Sequence, residues 1–377
     1  MAGPRRSSFA RVFDAVGEEL VADLKLADVM RLAQTSSTFL GSVCCRVRSL
    51  QLNEVVKNAD AQQATALLRR CTGVKTVRML DFHVLRQDEA KNYISDDEII
   101  NALMAHCTSL RSLTLEGSDY RRFATDSAVA AMARMFTDLE ELFLTDQVAL
   151  TDVALRAMAV HLPKLRLLHC DYCPGISDAG VIELVQKCTS LRSLNLSETH
   201  NTDAAGIAIG QTCPNLELLC LNMTETENKS ITDRSLVAIA QGCARLTCLE
   251  MSQASLSIVG IEALAASGCR LKKLNLCYCD ISDACVRALL PILGAAMTLD
   301  LDWTGVTVAS VSMIANAVPN LRTLYIHNSS CIITYEACAA LKGCRALKHL
   351  SVNLELDGIP ADIFDDLKTS NPSLTFS

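Results

Sequence analysis

The sequence predicts an α/β solenoid in which a short strand and a short helix alternate along most of the chain. Two observations lead to this class: a six-residue apolar motif recurs at regular spacing, and a Ser/Thr-Asp pair recurs between its copies. The composition agrees with it. Half of the 377 residues are apolar but only 4% are aromatic, which is typical of narrow stacked layers filled by Leu, Ala and Cys.

The recurring motif is L-x-x-L-x-L, and most copies begin 25 to 27 residues apart. Alternate side chains of a strand point to opposite faces, so the leucines are expected in the core and the residues between them in solvent. About thirteen strands are predicted in this way. The copies begin at positions 47, 74, 110, 139, 165, 191, 216, 246, 271, 296, 321, 347 and 374.

Helices are predicted between the strands, where a Ser/Thr-Asp pair precedes apolar residues at helical spacing. A Ser or Thr hydroxyl at a helix N-cap accepts a hydrogen bond from an unpaired backbone N–H, so each pair marks a helix start. Strand–helix units of this kind stack into a horseshoe or arc with a parallel concave sheet and convex helices. The pairs are Ser95-Asp96, Thr125-Asp126, Thr151-Asp152, Ser177-Asp178, Thr202-Asp203, Thr232-Asp233 and Ser282-Asp283.

Cysteines recur at two fixed places in the repeat, one before the strand and one after it. Positions 47–377 therefore resemble the cysteine-containing leucine-rich-repeat family. The resemblance implies that the cysteine after the strand is buried and bonds the backbone of the neighbouring coil. The cysteines before a strand are Cys71, Cys107, Cys188, Cys213, Cys243, Cys269 and Cys344. Those after it are Cys173 and Cys279, with Thr199, Thr224, Thr304 and Ser329 at the equivalent place.

Zinc binding is the alternative interpretation of Cys170-x-x-Cys173 and Cys277-x-Cys279. A structural zinc ion needs four converging ligands, and neither segment has a second Cys or His pair at suitable spacing. Reduced, buried thiols are favoured instead. No catalytic triad, phosphate loop or nucleotide fingerprint is present in the sequence, so we expect no metal, no cofactor and no enzymatic activity.

Residues 12–46 do not follow the repeat and predict two or three short amphipathic helices. The segment resembles an F-box, chiefly through the run LKLADVMRL from Leu24 to Leu32, but Val12-Phe13 stands where the family has Leu-Pro. The resemblance implies docking on a Skp-type adaptor of a ubiquitin ligase. The alternative is a small helical cap that shields the first repeat. The candidate adaptor contacts are Leu20, Leu24, Leu26, Val29, Leu32 and Phe39.

Charge and hydropathy limit the other partners and the compartment. The net charge is −7 and no basic block stands out, so nucleic acid is not expected. No apolar run is long enough for a transmembrane helix, so no membrane is expected as a partner. The basic N-terminal extension, residues 1–11, is similar to a mitochondrial transit peptide, yet a cytoplasmic protein is favoured, with nuclear or ciliary locations open.

A protein partner is expected on the concave face. The strand register places three aromatic residues on successive rows with charged residues among them, a combination typical of binding hot spots. The alternative is that the tryptophan packs locally on its own turn. This first group consists of Tyr278, Asp300, Asp302, Trp303, Tyr325 and His327, and a second group of Phe143, His169 and Tyr172. Insertions at 80–94, 116–124 and 222–231 are expected to project from one edge.

Two functions fit these predictions, and both are protein-binding roles. The first is the substrate receptor of an SCF-type ubiquitin ligase, which the F-box resemblance implies. The second is a scaffold subunit of a large assembly, for example a ciliary one, in which residues 12–46 serve only as a cap.

Overall fold

The computed structural model describes positions 49–51, 73–79, 96–115, 124–223, 230–327, 335–352 and 367–376. It divides into two compact units, Met1–Gly175 and Ile176–Ser377. Within each, strand and helix alternate along the chain, which confirms the predicted leucine-rich-repeat solenoid. The basic extension, the F-box-like segment and nearly all of the three insertions lie outside the described residues.

In the first unit, the described strands are parallel and each pairs with the next one along the chain. They are β1 (Ser49–Gln51), β2 (Thr76–Met79), β3 (Ser112–Leu115), β4 (Glu141–Phe143) and β5 (Leu167–His169). The described helices of this unit are α1 (Asp96–His106), α2 (Asp126–Met135) and α3 (Asp152–His161).

The second unit repeats the arrangement with parallel strands in sequence order. Its described strands are β6 (Ser193–Asn195), β7 (Leu218–Cys220), β8 (Cys248–Glu250), β9 (Lys273–Asn275), β10 (Thr298–Asp300), β11 (Thr323–Tyr325), β12 (His349–Ser351) and β13 (Thr375–Phe376). Its described helices are α4 (Asp178–Lys187), α5 (Asp203–Thr212), α6 (Asp233–Gly242), α7 (Ile258–Ala266), α8 (Asp283–Leu293), α9 (Val308–Ala317) and α10 (Tyr335–Leu341).

The leucines of the motif form the core, as the alternation predicts. Around β6, Leu191, Leu194 and Leu196 are buried, whereas Arg192 is exposed and Ser193 is half-buried. Burying one leucine side chain stabilises a fold by about 1.5–3 kcal/mol, and a buried leucine recurs in each strand from β3 to β12. The motif therefore fixes which face of every strand meets the helices and which meets solvent.

The predicted helix starts are confirmed, with one departure. Helices begin directly after the Ser or Thr of the pairs, and hydroxyls such as Thr232 Oγ1 accept a backbone N–H of the first turn. Ser257 and Thr307 cap α7 and α9 in the same way although no Asp follows them, so the search for pairs missed both. Ser282 is the departure, because its side chain accepts no capping hydrogen bond.

In five of the pairs, the Asp has a role that the sequence analysis did not predict. Its carboxylate accepts two hydrogen bonds from the N-cap residue of the following repeat, one from the backbone N–H and one from the hydroxyl. At Asp126, the donors are Thr151 N at 2.9 Å and Thr151 Oγ1 at 2.6 Å. The same arrangement joins Asp178 to Thr202, Asp203 to Thr232, Asp233 to Ser257, and Asp283 to Thr307. At the Ser95-Asp96 pair, the next residue, Asp97, accepts the two bonds from Thr125 instead.

The cysteines and the threonines that follow the strands form different hydrogen bonds. Cys173 Sγ donates to the carbonyl oxygen of Leu144 in the preceding repeat, and Cys279 Sγ donates to that of Met251, each at 3.2 Å. This confirms the neighbouring-coil contact for the cysteines. The equivalent expectation for the threonines is wrong at Thr199, whose shorter side chain donates to Leu196 O of its own repeat. Thr304 bonds its own repeat in the same way, whereas Thr224 and Ser329 lie outside the described residues.

Helices α5 and α6 approach each other closely because glycines lie between them. A Cβ atom on Gly242 would stand 1.6 Å from the carbonyl oxygen of Gly210. A Cβ atom on Gly210 would stand 2.4 Å from the backbone carbonyl of Ala238. No side chain fits at either position while the backbones keep this separation.

Candidate protein-binding surface

The solvent face of the second unit's sheet carries the first group of predicted site residues. In β10, Thr298 and Asp300 flank the buried Leu299 and are half-buried on the open face. In β11, Thr323 and Tyr325 flank the buried Leu324 in the same way. Parallel register sets Asp300 beside Tyr325, so the open face presents a carboxylate next to an aromatic ring.

A turn with left-handed backbone follows the strands. At this position φ is 58° at Tyr278 and 55° at Trp303, a conformation that costs a non-glycine residue about 1–2 kcal/mol. The turn is held because Tyr278 N–H donates to Asp302 O, and Trp303 N–H donates to His327 O, at 2.9 Å each. Glycine or asparagine suits this backbone better than an aromatic residue, so turn geometry does not account for the two rings.

The rings of Tyr278 and Trp303 stack on each other. Their centroids are 5.2 Å apart with an interplanar angle of 11°, and the residues remain 43% and 49% exposed. The alternative, in which the tryptophan packs only on its own turn, therefore does not describe the contact. The stacked pair forms one flat, half-exposed aromatic face at the end of β9 and β10.

The other members of the group point along the sheet instead of joining the stack. Tyr325 meets His349 of the next strand, with ring centroids 5.3 Å apart and a tilt of 55°. The His327 ring lies 3.2 Å from Val352 O through its Nδ1 atom. The strand register predicted from the sequence sets the correct strands side by side, but it did not identify His349 as the neighbour of Tyr325.

The two carboxylates of the group lie in a partly desolvated environment. Burial, together with the nearby charges of Asp302 and Glu250, raises the pKa of Asp300 to about 6, although a hydrogen bond from the Asp302 backbone N–H and the charge of Lys273 oppose the shift. Burial also raises the pKa of Asp302, although a hydrogen bond from the His327 backbone N–H opposes this. A cationic group placed against Asp300 and Asp302 would lower both pKa values and would be favoured electrostatically.

A charged cluster that the sequence analysis missed lies on β8 and β9. Lys273 Nζ stands 2.6 Å from Glu250 Oε1, and Asn222 Nδ2 donates to Glu250 Oε2 at 3.0 Å. Burial would raise the pKa of Glu250, but these bonds outweigh it and hold the pKa below the ordinary value.

The second predicted group lies in the first unit. Phe143 and His169 occupy neighbouring strands, and their rings meet edge to face with centroids 4.9 Å apart. Burial lowers the pKa of His169, so the imidazole stays neutral near pH 7, although Asp171 opposes the shift. Tyr172 is 51% exposed in the left-handed turn that follows β5.

The cysteines have the properties of structural thiols. Burial raises the pKa of Cys173 to about 12 and the pKa of Cys107 to about 11, so both remain protonated. In the described part of the chain, no three His, Cys, Asp or Glu side chains gather as metal ligands would. Nor does any described helix combine the length and the apolar character that crossing a membrane requires.

Comparison with solved structures decides the fold family. Yeast Rad7, whose crystal structure was solved as a complex with Elc1, superimposes on this chain with a TM-score of 0.60 and 15% sequence identity. The alignment covers 99% of this chain and 92% of Rad7. The chain has the leucine-rich-repeat fold. No family model matches the sequence.

Two curated relatives of this leucine-rich-repeat protein carry the F-box name. It is 21% identical to F-box/LRR-repeat protein 4 of Bos taurus over 65% of its own length and 46% of the relative. It is 26% identical to F-box protein SKIP1 of Arabidopsis thaliana over 34% of its own length and 48% of the relative. The chain thus spans about half the length of these relatives.

Proposed function

We propose that this chain is the substrate receptor of an SCF-type ubiquitin ligase, with binding and not catalysis as its role. In this proposal the repeats bind the substrate, and residues 12–46 bind a Skp-type adaptor. Support comes from the order of an F-box-like segment followed by leucine-rich repeats, the two elements that the name of the bovine relative combines. A repeat protein of this fold solved as a complex supports the binding role.

The adaptor is tested by Leu24→Asp with Leu26→Asp. Two carboxylates in an apolar docking face cost several kcal/mol, so we expect the adaptor and cullin to be lost from the purified complex. The measurement is affinity purification of the tagged full-length chain from eukaryotic cells, followed by mass spectrometry. A matched control is Val153→Asp with Val160→Asp, two valines on α3 that are 51% and 70% exposed.

The outcomes separate the two candidate roles. Recovery of a Skp-type adaptor and a cullin with wild type and the α3 control, but not with the Leu24/Leu26 variant, supports the receptor. A fixed set of structural proteins without adaptor or cullin contradicts it and favours a scaffold whose residues 12–46 act as a cap.

We further propose that the substrate contacts the aromatic patch, defined as Tyr278, Trp303 and Tyr325 with Asp300, Asp302 and His327. The stacked pair offers exposed, preorganised apolar area, and the adjacent carboxylates provide a polar contact for a basic side chain of the partner. The same left-handed turn recurs at Asp146, Glu198 and Gln253, so the repeat does not require an aromatic residue there and the two rings support a role beyond forming the turn.

The patch is tested by Asp302→Lys with Trp303→Ala. Loss of the stacked ring and reversal of the charge should weaken partner binding by at least about 30-fold, or about 2 kcal/mol. Ser252→Lys with Gln253→Ala is the matched control, because it introduces the same two residue types at the equivalent left-handed turn two repeats earlier, outside both groups of predicted site residues. Quantitative recovery of the co-purified proteins checks both variants. Unchanged recovery with the Asp302/Trp303 variant would exclude the patch.

A further inference from the structure

Basic side chains recur at the edge of the second unit's sheet where the strands begin. Lys272, Arg322 and Lys348 stand directly before β9, β11 and β12, with Met297 in the same place before β10. Backbone hydrogen bonds tie these residues in register: Met297 N to Lys272 O and Arg322 N to Met297 O at 2.8 Å, and Lys348 N to Arg322 O at 2.7 Å. The three cations therefore lie on one line, with about 4.8 Å between successive strands.

Three arginines widen this line. Arg245, Arg270 and Arg345 lie in the turns that lead into β8, β9 and β12 and are exposed, as are the three cations of the line. We call these six residues the basic strip. None of their side chains forms a hydrogen bond or ion pair with another residue in the described ranges. The segments 243–247, 267–272, 294–297, 318–322 and 342–348 contain no Asp or Glu.

The basic strip is an exception in a chain whose net charge is −7. At the same edge near β6 and β7, Arg192 is paired with Glu217 at 3.0 Å, so the unpaired charge begins only after that pair. The opposite end of β10 carries Asp300, with Asp302 just beyond, whereas Glu250 at the end of β8 is neutralised by Lys273. This part of the sheet is therefore polarised, with cations where the strands begin and carboxylates at the end of β10.

We infer that the basic strip binds an acidic segment of a partner protein. Unneutralised cations on one line attract a short run of carboxylates, and each partner charge gains from several of them at once. Asp300 and Asp302 at the end of β10 disfavour a nucleic acid, because a polyanion longer than the basic strip would meet these carboxylates where it crosses the sheet. The polarity also sets the direction of the bound partner, with its acidic part at the strand starts. This inference goes beyond the ligase proposal and does not depend on adaptor binding.

The test uses the purified full-length chain and a fluorescent deca-glutamate peptide, with binding followed by fluorescence anisotropy. The variant is Lys272→Glu/Arg322→Glu/Lys348→Glu. The matched control is Lys187→Glu/Arg234→Glu/Arg287→Glu, which changes the net charge equally at exposed positions on α4, α6 and α8. We expect the strip variant to bind at least about tenfold more weakly and the control to change by less than about threefold. A second strip variant, with Gln at the same three positions, guards against misfolding and should also weaken binding.

Three outcomes would overturn the inference. The first is absence of saturable peptide binding to the wild type. The second is an equal loss in the strip variant and the control, which would mean that bulk charge alone acts. The third is tighter binding of oligo-dT of about 20 nucleotides through the same three residues, which would make the strip a nucleic-acid site. In the expected case, raising salt from about 50 to about 200 mM weakens the wild type more than the strip variant.

Discussion

Replacing Gly242 by alanine should lower the free energy of unfolding by about 2–3 kcal/mol. In an ordinary helix, the same change stabilises by up to about 1 kcal/mol, because alanine loses less backbone entropy on folding. The opposite sign is expected here because the added methyl group would stand 1.6 Å from the carbonyl oxygen of Gly210. Helices α5 and α6 would have to separate, and the buried contacts between them would be lost.

Urea unfolding of both proteins measures this effect. The matched control is Gly294→Ala, because Gly294 has helical backbone angles and no heavy atom within 4 Å of the position of its Cβ. We expect the control to be neutral or slightly stabilising. A Gly242→Ala protein as stable as wild type would show that α5 and α6 can move apart at little cost.

The sequence predicted the repeats because their physical cause is local. Each strand needs buried apolar residues at alternate positions, and copies such as residues 191–196 contain strands where the motif places them. The close packing of α5 on α6 was not predictable in the same way. A glycine within a helical pattern is read as a weak helix former, and only the position of the facing helix shows that no Cβ fits at Gly210 or Gly242.

The sequence predicted which strands carry the residues of the candidate surface, but not which of their side chains touch each other. Register alone placed Tyr278 beside Trp303, whereas the stacking of their rings depends on a left-handed turn that neither residue type favours. The sequence analysis did not identify the basic strip, because its residues are far apart along the chain. Lys272 and Arg322 are 50 positions apart in the sequence but only two strands apart in the sheet, with Met297 between them. A search for basic blocks along the sequence cannot find such a line.

The helix starts show the same limit at the level of single residues. The hydroxyl of each Ser/Thr-Asp pair acts within its own helix, so the pattern predicts its N-cap role. The carboxylate acts on the following repeat, about 25 residues away, as between Asp178 and Thr202. Ser282 illustrates the dependence between repeats. Ile258 stands where the preceding repeat would supply the Asp, and the Ser282 side chain accepts no capping hydrogen bond.

Replacing Asp203 by alanine should lower the free energy of unfolding by about 2–3 kcal/mol at pH 7. Its carboxylate accepts hydrogen bonds from Thr232 N at 2.8 Å, Thr232 Oγ1 at 2.6 Å and Ser235 Oγ at 2.5 Å. The variant leaves these donors without their acceptor, and the fully buried Ser235 hydroxyl has little access to water in exchange. Urea unfolding is again the measurement. Asp280→Ala, at an exposed aspartate of the same unit, is the control and should change stability by less than about 0.5 kcal/mol.

The pH dependence distinguishes a charged acceptor from a mere packing effect. Burial raises the pKa of Asp203, but the hydrogen bonds from Ser235 and Thr232 outweigh it, so the folded-state pKa lies below the ordinary value near 4. A lowered carboxyl pKa contributes stability that is fully present above the unfolded-state pKa and is lost as pH falls through the folded-state pKa. The difference between wild type and Asp203→Ala should therefore be constant from about pH 7 to 5 and shrink below about pH 4. A difference that stays constant down to pH 2 would mean that the ionised carboxylate does not stabilise this junction.

The reciprocal variant, Ile258→Asp, supplies the missing acceptor before Ser282 and should stabilise the protein by about 0.5–1 kcal/mol, again only above about pH 4.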